Sequence, residues 1–248
     1  MYLTIEGLVL RVTDYNDRDA LLTLLSRSHG KLTVKARGLR RKNSPLIAPC
    51  QLLAYGEFTL FEYRGMYTVN EAKSLELFTP LRRDICKLSL GTYFAQVAEV
   101  VSQEDMPNPE LLSLVLNCMY MLCKNTVPDA LVKGVFEFRL ACLAGFTPDL
   151  GECWQCGNQA PDRLDLSAGR LECASCRSPA SDGIRMPVAP GTLDILRYLS
   201  VCPGKKLFSF QIGENTLENF SALTESYLCT QLERGFSTLD FYKSLLLT

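Results

Sequence analysis

Four cysteines in two pairs constrain the fold of this chain more than any other sequence feature. Cys153 and Cys156 form one C-x2-C pair, Cys173 and Cys176 form the second, and 16 residues separate the pairs. Each pair places two thiols on one tight turn, and two such turns facing each other can surround a metal ion with four sulfur ligands. The spacing predicts a zinc ribbon with a structural Zn²⁺, because four thiolates leave no open position for a catalytic water.

The residues between the two pairs are predicted to form a small hairpin. The segments R-L-D-L and R-L-E-C flank Ser167, Ala168 and Gly169, which suit a turn. Two other interpretations of the cysteines stay open, a redox dithiol pair and two unmodified thiol pairs in a loop. A redox C-x-x-C is expected near a βαβ unit, whereas this one follows a predicted helix and precedes a hairpin, which favours zinc.

The first 80 residues are predicted to form a small β-barrel. Five short segments rich in Val, Leu, Thr, Phe and Tyr alternate there with Asp, Asn, Gly and Pro turn signals. An OB-fold is the commonest five-stranded barrel of this size, and an SH3-like barrel fits the pattern nearly as well.

After Pro80 the hydrophobic period changes toward that of helices. Helices are predicted over residues 81–101, 109–124, 126–145, 190–201 and 215–234. The chain is therefore predicted to be a multidomain α+β protein. It would have an OB-fold domain at 1–80 and a helical domain at 81–248, with the zinc ribbon inserted at about 150–180.

A basic run lies inside the predicted barrel. Residues 30–45, GKLTVKARGLRRKNSP, carry six basic side chains and no acidic one, although the formal net charge of the chain is only −1. In a strand, the odd-numbered residues from Lys31 to Arg37 would share a solvent face and the apolar residues between them the core face. The predicted nucleic-acid contacts are Lys31, Lys35, Arg37, Arg40, Arg41 and Lys42. A solvated strand face followed by a flexible loop is the alternative interpretation.

The sequence offers little catalytic equipment. Histidine occurs once, at His29 in a predicted turn, and no phosphate-binding P-loop or dinucleotide-binding glycine motif is found. Asp17 and Asp19 are interpreted as turn-forming residues. We therefore predict no enzymatic activity.

No signal peptide is recognised, and the longest apolar run, residues 111–123, is shorter than the roughly 20 residues of a membrane span. A cytoplasmic location without membrane attachment is expected.

Several short motifs follow one another along the chain in an order that resembles a known family. They are G-L-V-L at 7–10, Y-N-D-R-D at 15–19, R-G-L-R-R at 37–41, F-E-F-R-L-A at 136–141 with the C-x2-C-G after it, and K-S-L at 243–245. Together they resemble the RecO family of bacterial recombination mediators and DNA repair proteins over essentially the whole chain.

The resemblance implies an OB-fold followed by a helical domain with a zinc module, in a nucleoid-associated protein. It implies binding of single- and double-stranded DNA, annealing of complementary strands and, with RecR, help in loading RecA onto DNA covered by single-strand DNA-binding protein. The acidic, aromatic tail of that covering protein is expected to dock on the helical domain. The alternative is a non-enzymatic scaffold whose barrel and zinc ribbon bind proteins. A zinc-dependent hydrolase would need an open metal site and a general base that the sequence does not offer.

Overall fold

The structure is a computed structural model that describes residues 1–176 and 183–247. Its chain forms two compact units, one made of Met1–Lys124 with Phe236–Thr248 and the other of Asn125–Gly235. The predicted domain boundary at residue 80 stays a prediction.

The first unit contains a closed five-stranded barrel. Its strands are β1 (Tyr2–Asp14), β2 (Ala20–Ser26), β3 (Gly30–Ala36), β4 (Tyr55–Tyr63) and β5 (Met66–Glu76). They are joined in the order β1-β2-β3-β5-β4, with β4 also paired to β1. All pairs are antiparallel except β3 with β5, which is parallel. This order is that of an OB-fold, so the predicted fold class is confirmed.

The alternation within each strand fills the barrel. Leu32, Val34 and Ala36 of β3 are buried, and so are Phe58 and Leu60 of β4. The residues between them point outward because successive side chains of a strand face opposite sides. The predicted dry face of β3 is therefore confirmed.

Six α-helices occur within the described residues. They are α1 (Ile85–Val101), α2 (Pro109–Lys124), α3 (Asp129–Leu143), α4 (Pro190–Val201), α5 (Glu214–Gln231) and α6 (Ser237–Leu245). None of the helices in this described part is long and apolar enough to cross a membrane. Helix α6 was missing from the sequence prediction, since it is only nine residues long.

Side-chain caps set the starts of the first two helices. The Asp84 carboxylate accepts from the backbone amides of Cys86 and Lys87 at 2.9 and 3.2 Å, so α1 begins after it. A 3-10 turn, Leu81–Arg83, occupies the stretch that was predicted as the first turn of this helix. Asn108 Oδ1 accepts from the Leu111 amide at 3.0 Å, as the predicted cap of α2 requires.

The second unit packs α3 against α5 and α4, beside a small sheet. A buried ion cluster joins α3 to α5, with Lys133 Nζ 2.9 Å from Glu137 and 2.7 Å from Glu225. The sheet consists of β6 (Arg163–Asp165), β7 (Arg170–Glu172) and β8 (Arg185–Pro187), in the order β7-β6-β8. Strands β6 and β7 form the hairpin predicted between the cysteine pairs.

Candidate nucleic-acid interface and candidate metal centre

The basic run begins on β3 and continues into the turns after it. Lys31 is half-buried, and its Nζ donates to the Glu99 carbonyl at 3.3 Å. Lys35 Nζ lies 3.1 Å from an Asp19 carboxylate oxygen and 4.5 Å from the centre of the Tyr15 ring. Both side chains are thus held by neighbouring groups of the same unit.

The four remaining basic residues divide by their partners. Arg40 is paired with Asp14 at 3.0 Å and also donates to the Asn16 carbonyl at 3.4 Å. Arg37, Arg41 and Lys42 are exposed, and their side chains make no hydrogen bond or ion pair with any residue in 1–176 or 183–247. These three are the cations of the basic run that stay open to an external anion.

Asp19 organises this part of the barrel. Its Oδ1 accepts from the Gly38 amide at 2.8 Å and its Oδ2 faces Lys35, while Asn16 Nδ2 donates to it at 3.2 Å. The Gly38 amide, then Lys35 and Asn16, lower the pKa of this carboxyl from 3.8 to about 2. The acidic β1–β2 turn, in which Asp19 was interpreted as a turn-former, therefore clamps the start of residues 37–42, which we call the basic loop.

An aromatic pocket opens beside Arg37, with a volume of about 530 Å³. Its walls come from the start of β1, the ends of β3 and β4, and the start of β5. We call it the aromatic pocket after Tyr2, Phe61 and Tyr63, which line it together with Lys35, Arg37, Arg64 and Met66. The sequence prediction named no stacking residue and missed Arg64. The available signal was the β4–β5 turn, where Phe61 and Tyr63 fall on the outward positions of the strand.

The cysteine quartet comes together in the second unit. The four Sγ atoms of Cys153, Cys156, Cys173 and Cys176 all lie within 4.8 Å of one another. The Cys156 and Cys173 sulfurs are 3.9 Å apart. Four thiolates bound tetrahedrally to one zinc ion at about 2.3 Å lie about 3.8 Å from each other. The donor set and the spacing of the sulfurs therefore fit a metal site with four cysteine ligands.

Backbone amides surround one sulfur of this cluster, that of Cys153. Burial raises the pKa of the Cys153 thiol, but hydrogen bonds from backbone amides of the two knuckles outweigh it and lower the pKa from 9.0 to about 6. Gly157 takes a φ of +70°, which lets the first knuckle turn back. Asn158 Nδ2 donates to Cys173 Sγ at 3.2 Å. Sequence spacing alone did not identify Asn158 as a partner of the sulfurs.

The small sheet holds the knuckles in place. Arg185 on β8 donates to Glu172 at 3.0 Å and to Asp165 at 3.3 Å, so it ties all three strands together. All eleven cysteines lie in the described part of the chain, and none of them forms a disulfide.

The fold and the two sites define a class: an OB-fold protein with a basic loop and an aromatic pocket on its barrel, and a four-cysteine cluster in its second unit. Comparison with known proteins narrows this class. The family model for the recombination protein O N terminal matches residues 1–78, and the model for the recombination protein O C terminal matches residues 82–240.

Full-length relatives agree with the family models. The DNA repair protein RecO of Acetivibrio thermocellus is 32% identical over 247 residues, covering 98% of this chain and 97% of that protein. The protein of the same name in Alkaliphilus metalliredigens is 28% identical, with 99% and 100% covered, and that in Bacillus subtilis is 27% identical, with 90% and 86% covered. The chain belongs to the RecO family of DNA repair and recombination proteins.

The Asp19 clamp predicts a specific pH dependence of stability. Because the folded-state pKa of about 2 lies below the unfolded value of about 3.9, the stabilisation is fully present above pH 4 or so and is lost as the pH falls toward 2. Asp19→Asn should lower the urea midpoint at neutral pH, and the difference from the wild type should shrink steadily as the pH falls through this window.

Asp17→Asn is the matched control. The Asp17 carboxylate makes no hydrogen bond or ion pair among the described residues, so its variant should follow the wild-type midpoint at every pH. A gap between Asp19→Asn and wild type that stays constant down to the lowest pH would contradict the clamp.

Proposed function

We propose that this chain is a non-enzymatic recombination mediator that binds single- and double-stranded DNA through the outer surface of its barrel. Like the family it belongs to, it would act in DNA repair. It would anneal complementary strands and, together with RecR, help RecA to load onto DNA covered by single-strand DNA-binding protein. The tail of that covering protein would be a further partner, and the location would be cytoplasmic and nucleoid-associated.

The observation that carries the proposal is the trio Arg37, Arg41 and Lys42. These side chains are exposed and lack partners in the described part of the chain, whereas the other three cations of the basic run are engaged by Glu99, Asp19 and Asp14. Exposed cations on an OB-fold attract phosphates and release counterions from the nucleic acid. Such contacts give affinity without sequence preference, which annealing of arbitrary strands requires.

No P-loop or dinucleotide-binding motif is found in the sequence, which supports a mediator over an enzyme. His29 is engaged with Ser28, whose Oγ lies 2.8 Å from the ring Nδ1, in the turn before β3. The four sulfurs of the metal site would fill the coordination of a zinc ion, so a bound zinc would stabilise the fold and would not activate water. We propose Zn²⁺ because four thiolates in a tetrahedral cluster are its preferred structural environment.

Removal of the loop cations should weaken the salt dependence of DNA binding. In Arg41→Ala/Lys42→Ala, two phosphate contacts are lost, so the log-log slope of affinity against salt on single strands should flatten by about 1.4. Fluorescence anisotropy over a salt series measures the slope, and annealing of complementary oligonucleotides should slow in the same variant.

Lys205→Ala/Lys206→Ala is the matched control. It also removes two adjacent exposed cations, here both lysines, but from the second unit, and it changes the net charge equally. Its slope should match the wild type. Equal flattening in both double variants would mean that net charge, and not the basic loop, governs binding. Unchanged slopes and undiminished annealing in the loop variant would contradict the proposed function.

Metal analysis tests the cysteine cluster. We expect one zinc per chain by mass spectrometry of the purified protein. Cys173→Ser should lose the metal and unfold at lower denaturant concentration, because binding of zinc by the four sulfurs contributes to folding. Cys86→Ser, at a half-buried position on α1, should retain the metal. Metal-free, fully folded wild-type protein would contradict a structural zinc site.

A further inference from the structure

The outer face of the barrel changes character along β1 and β4. In the middle of the strands it is polar and internally bonded, with Thr4 and Thr59 hydroxyls 3.4 Å apart and Tyr55 donating to Glu6 at 2.6 Å. Toward the β4–β5 turn the same face becomes aromatic. Tyr2 lies opposite Phe61 in the ladder, and Tyr63 lies opposite Met66.

These aromatic rings are open to solvent. Tyr2 is 63% exposed, Tyr63 is 60% exposed and Phe61 is 39% exposed, whereas Phe58 on the inward face is fully buried. The ring centres of Tyr2 and Phe61 are 5.3 Å apart, with the planes tilted by 53°. Burial in the core does not account for these rings. All three line the same pocket, where a flat ligand can contact their faces.

Two arginines line the pocket beside the rings. The Arg64 guanidinium lies 5.2 Å from the Tyr63 ring centre, and Arg37 lines the same pocket. No Asp or Glu of the described residues lines it. The nearby Glu62 carboxylate accepts from the Gly65 amide at 3.2 Å and so supports the β4–β5 turn. The pocket therefore combines stacking surfaces with cations that can hold a phosphate.

We propose that the aromatic pocket binds unpaired bases of single-stranded DNA by stacking on Tyr63, Phe61 and Tyr2, and that this contact makes the chain prefer single strands over duplex. The inference rests on the proposed function, in which the barrel binds DNA. Unpaired bases fit because every base offers a flat π-face, while bases in a duplex are already stacked on each other. The basic loop contacts phosphates of either form.

The test distinguishes contacts to the bases from contacts to the phosphates. Affinity is measured by anisotropy for three ligands: an oligothymidylate, an abasic strand of the same length and a duplex. Tyr63→Leu keeps an apolar side chain but removes the ring, so it should weaken binding to the oligothymidylate about 5- to 150-fold. Its affinity for the abasic strand and for the duplex should stay unchanged. Tyr63→Phe keeps the ring and should retain wild-type affinity for all three ligands.

Two further variants provide a control and a second test position. Tyr120→Leu is the matched control, since Tyr120 on α2 is 53% exposed with Lys124 Nζ 5.2 Å from its ring, and it should leave all affinities unchanged. Tyr2→Leu repeats the test at an independent position should Tyr63→Leu fold poorly in circular dichroism.

Each outcome tests either base stacking in the aromatic pocket or DNA binding by the barrel. Equal weakening on all three ligands, or no weakening on any, overturns stacking. If the loop variant Arg41→Ala/Lys42→Ala still flattens the salt slope in that case, DNA binding by the barrel stands without base stacking. If the loop variant also leaves the salt slope unchanged, both base stacking and the proposed function are contradicted. Loss of binding to a partner protein, with DNA affinity intact, would assign the pocket to protein docking and overturn the proposal.

Discussion

The carboxylate of Asp19 anchors the start of the basic loop and pairs with one of the six cations of the basic run. It holds the Gly38 amide at 2.8 Å and the Lys35 ammonium at 3.1 Å, so the start of the basic loop is tied to the β1–β2 turn. Lys35 is therefore ion-paired with Asp19, and Arg40 is ion-paired with Asp14. Arg37, Arg41 and Lys42 project from the same short segment without such partners in the described part of the chain. The binding surface that we propose therefore depends on an acidic turn as much as on the basic residues.

Strand and helix periodicity predicted most of the fold. The alternation of Leu32, Val34 and Ala36 with polar residues identified β3 and its buried face, and Asn108 with Pro109 identified the start of α2. The clamp could not be predicted, because a charge count along the chain does not show that Asp14 and Asp19 fold back onto Arg40 and Lys35. All six cations of the basic run looked equivalent in the sequence.

The cysteine cluster could be predicted from the sequence, whereas the aromatic pocket could not. The spacing of Cys153, Cys156, Cys173 and Cys176 encodes their convergence directly, since each pair shares one turn and a short hairpin brings the pairs together. Nothing comparable in the sequence joins Tyr2 to Phe61 and Tyr63. Their meeting depends on the pairing of β1 with β4, a contact between residues about sixty positions apart. Long-range register of this kind is visible only once the barrel has closed.

Hydrogen exchange in the presence of single-stranded DNA tests most directly where the chain meets nucleic acid. The account predicts slower exchange of backbone amides in residues 36–43, which include the basic loop, and in residues 61–68, which include the β4–β5 turn. Amides of the cysteine cluster should exchange at unchanged rates. Protection confined to residues 125–176 and 183–235, with the barrel unaffected, would contradict the account.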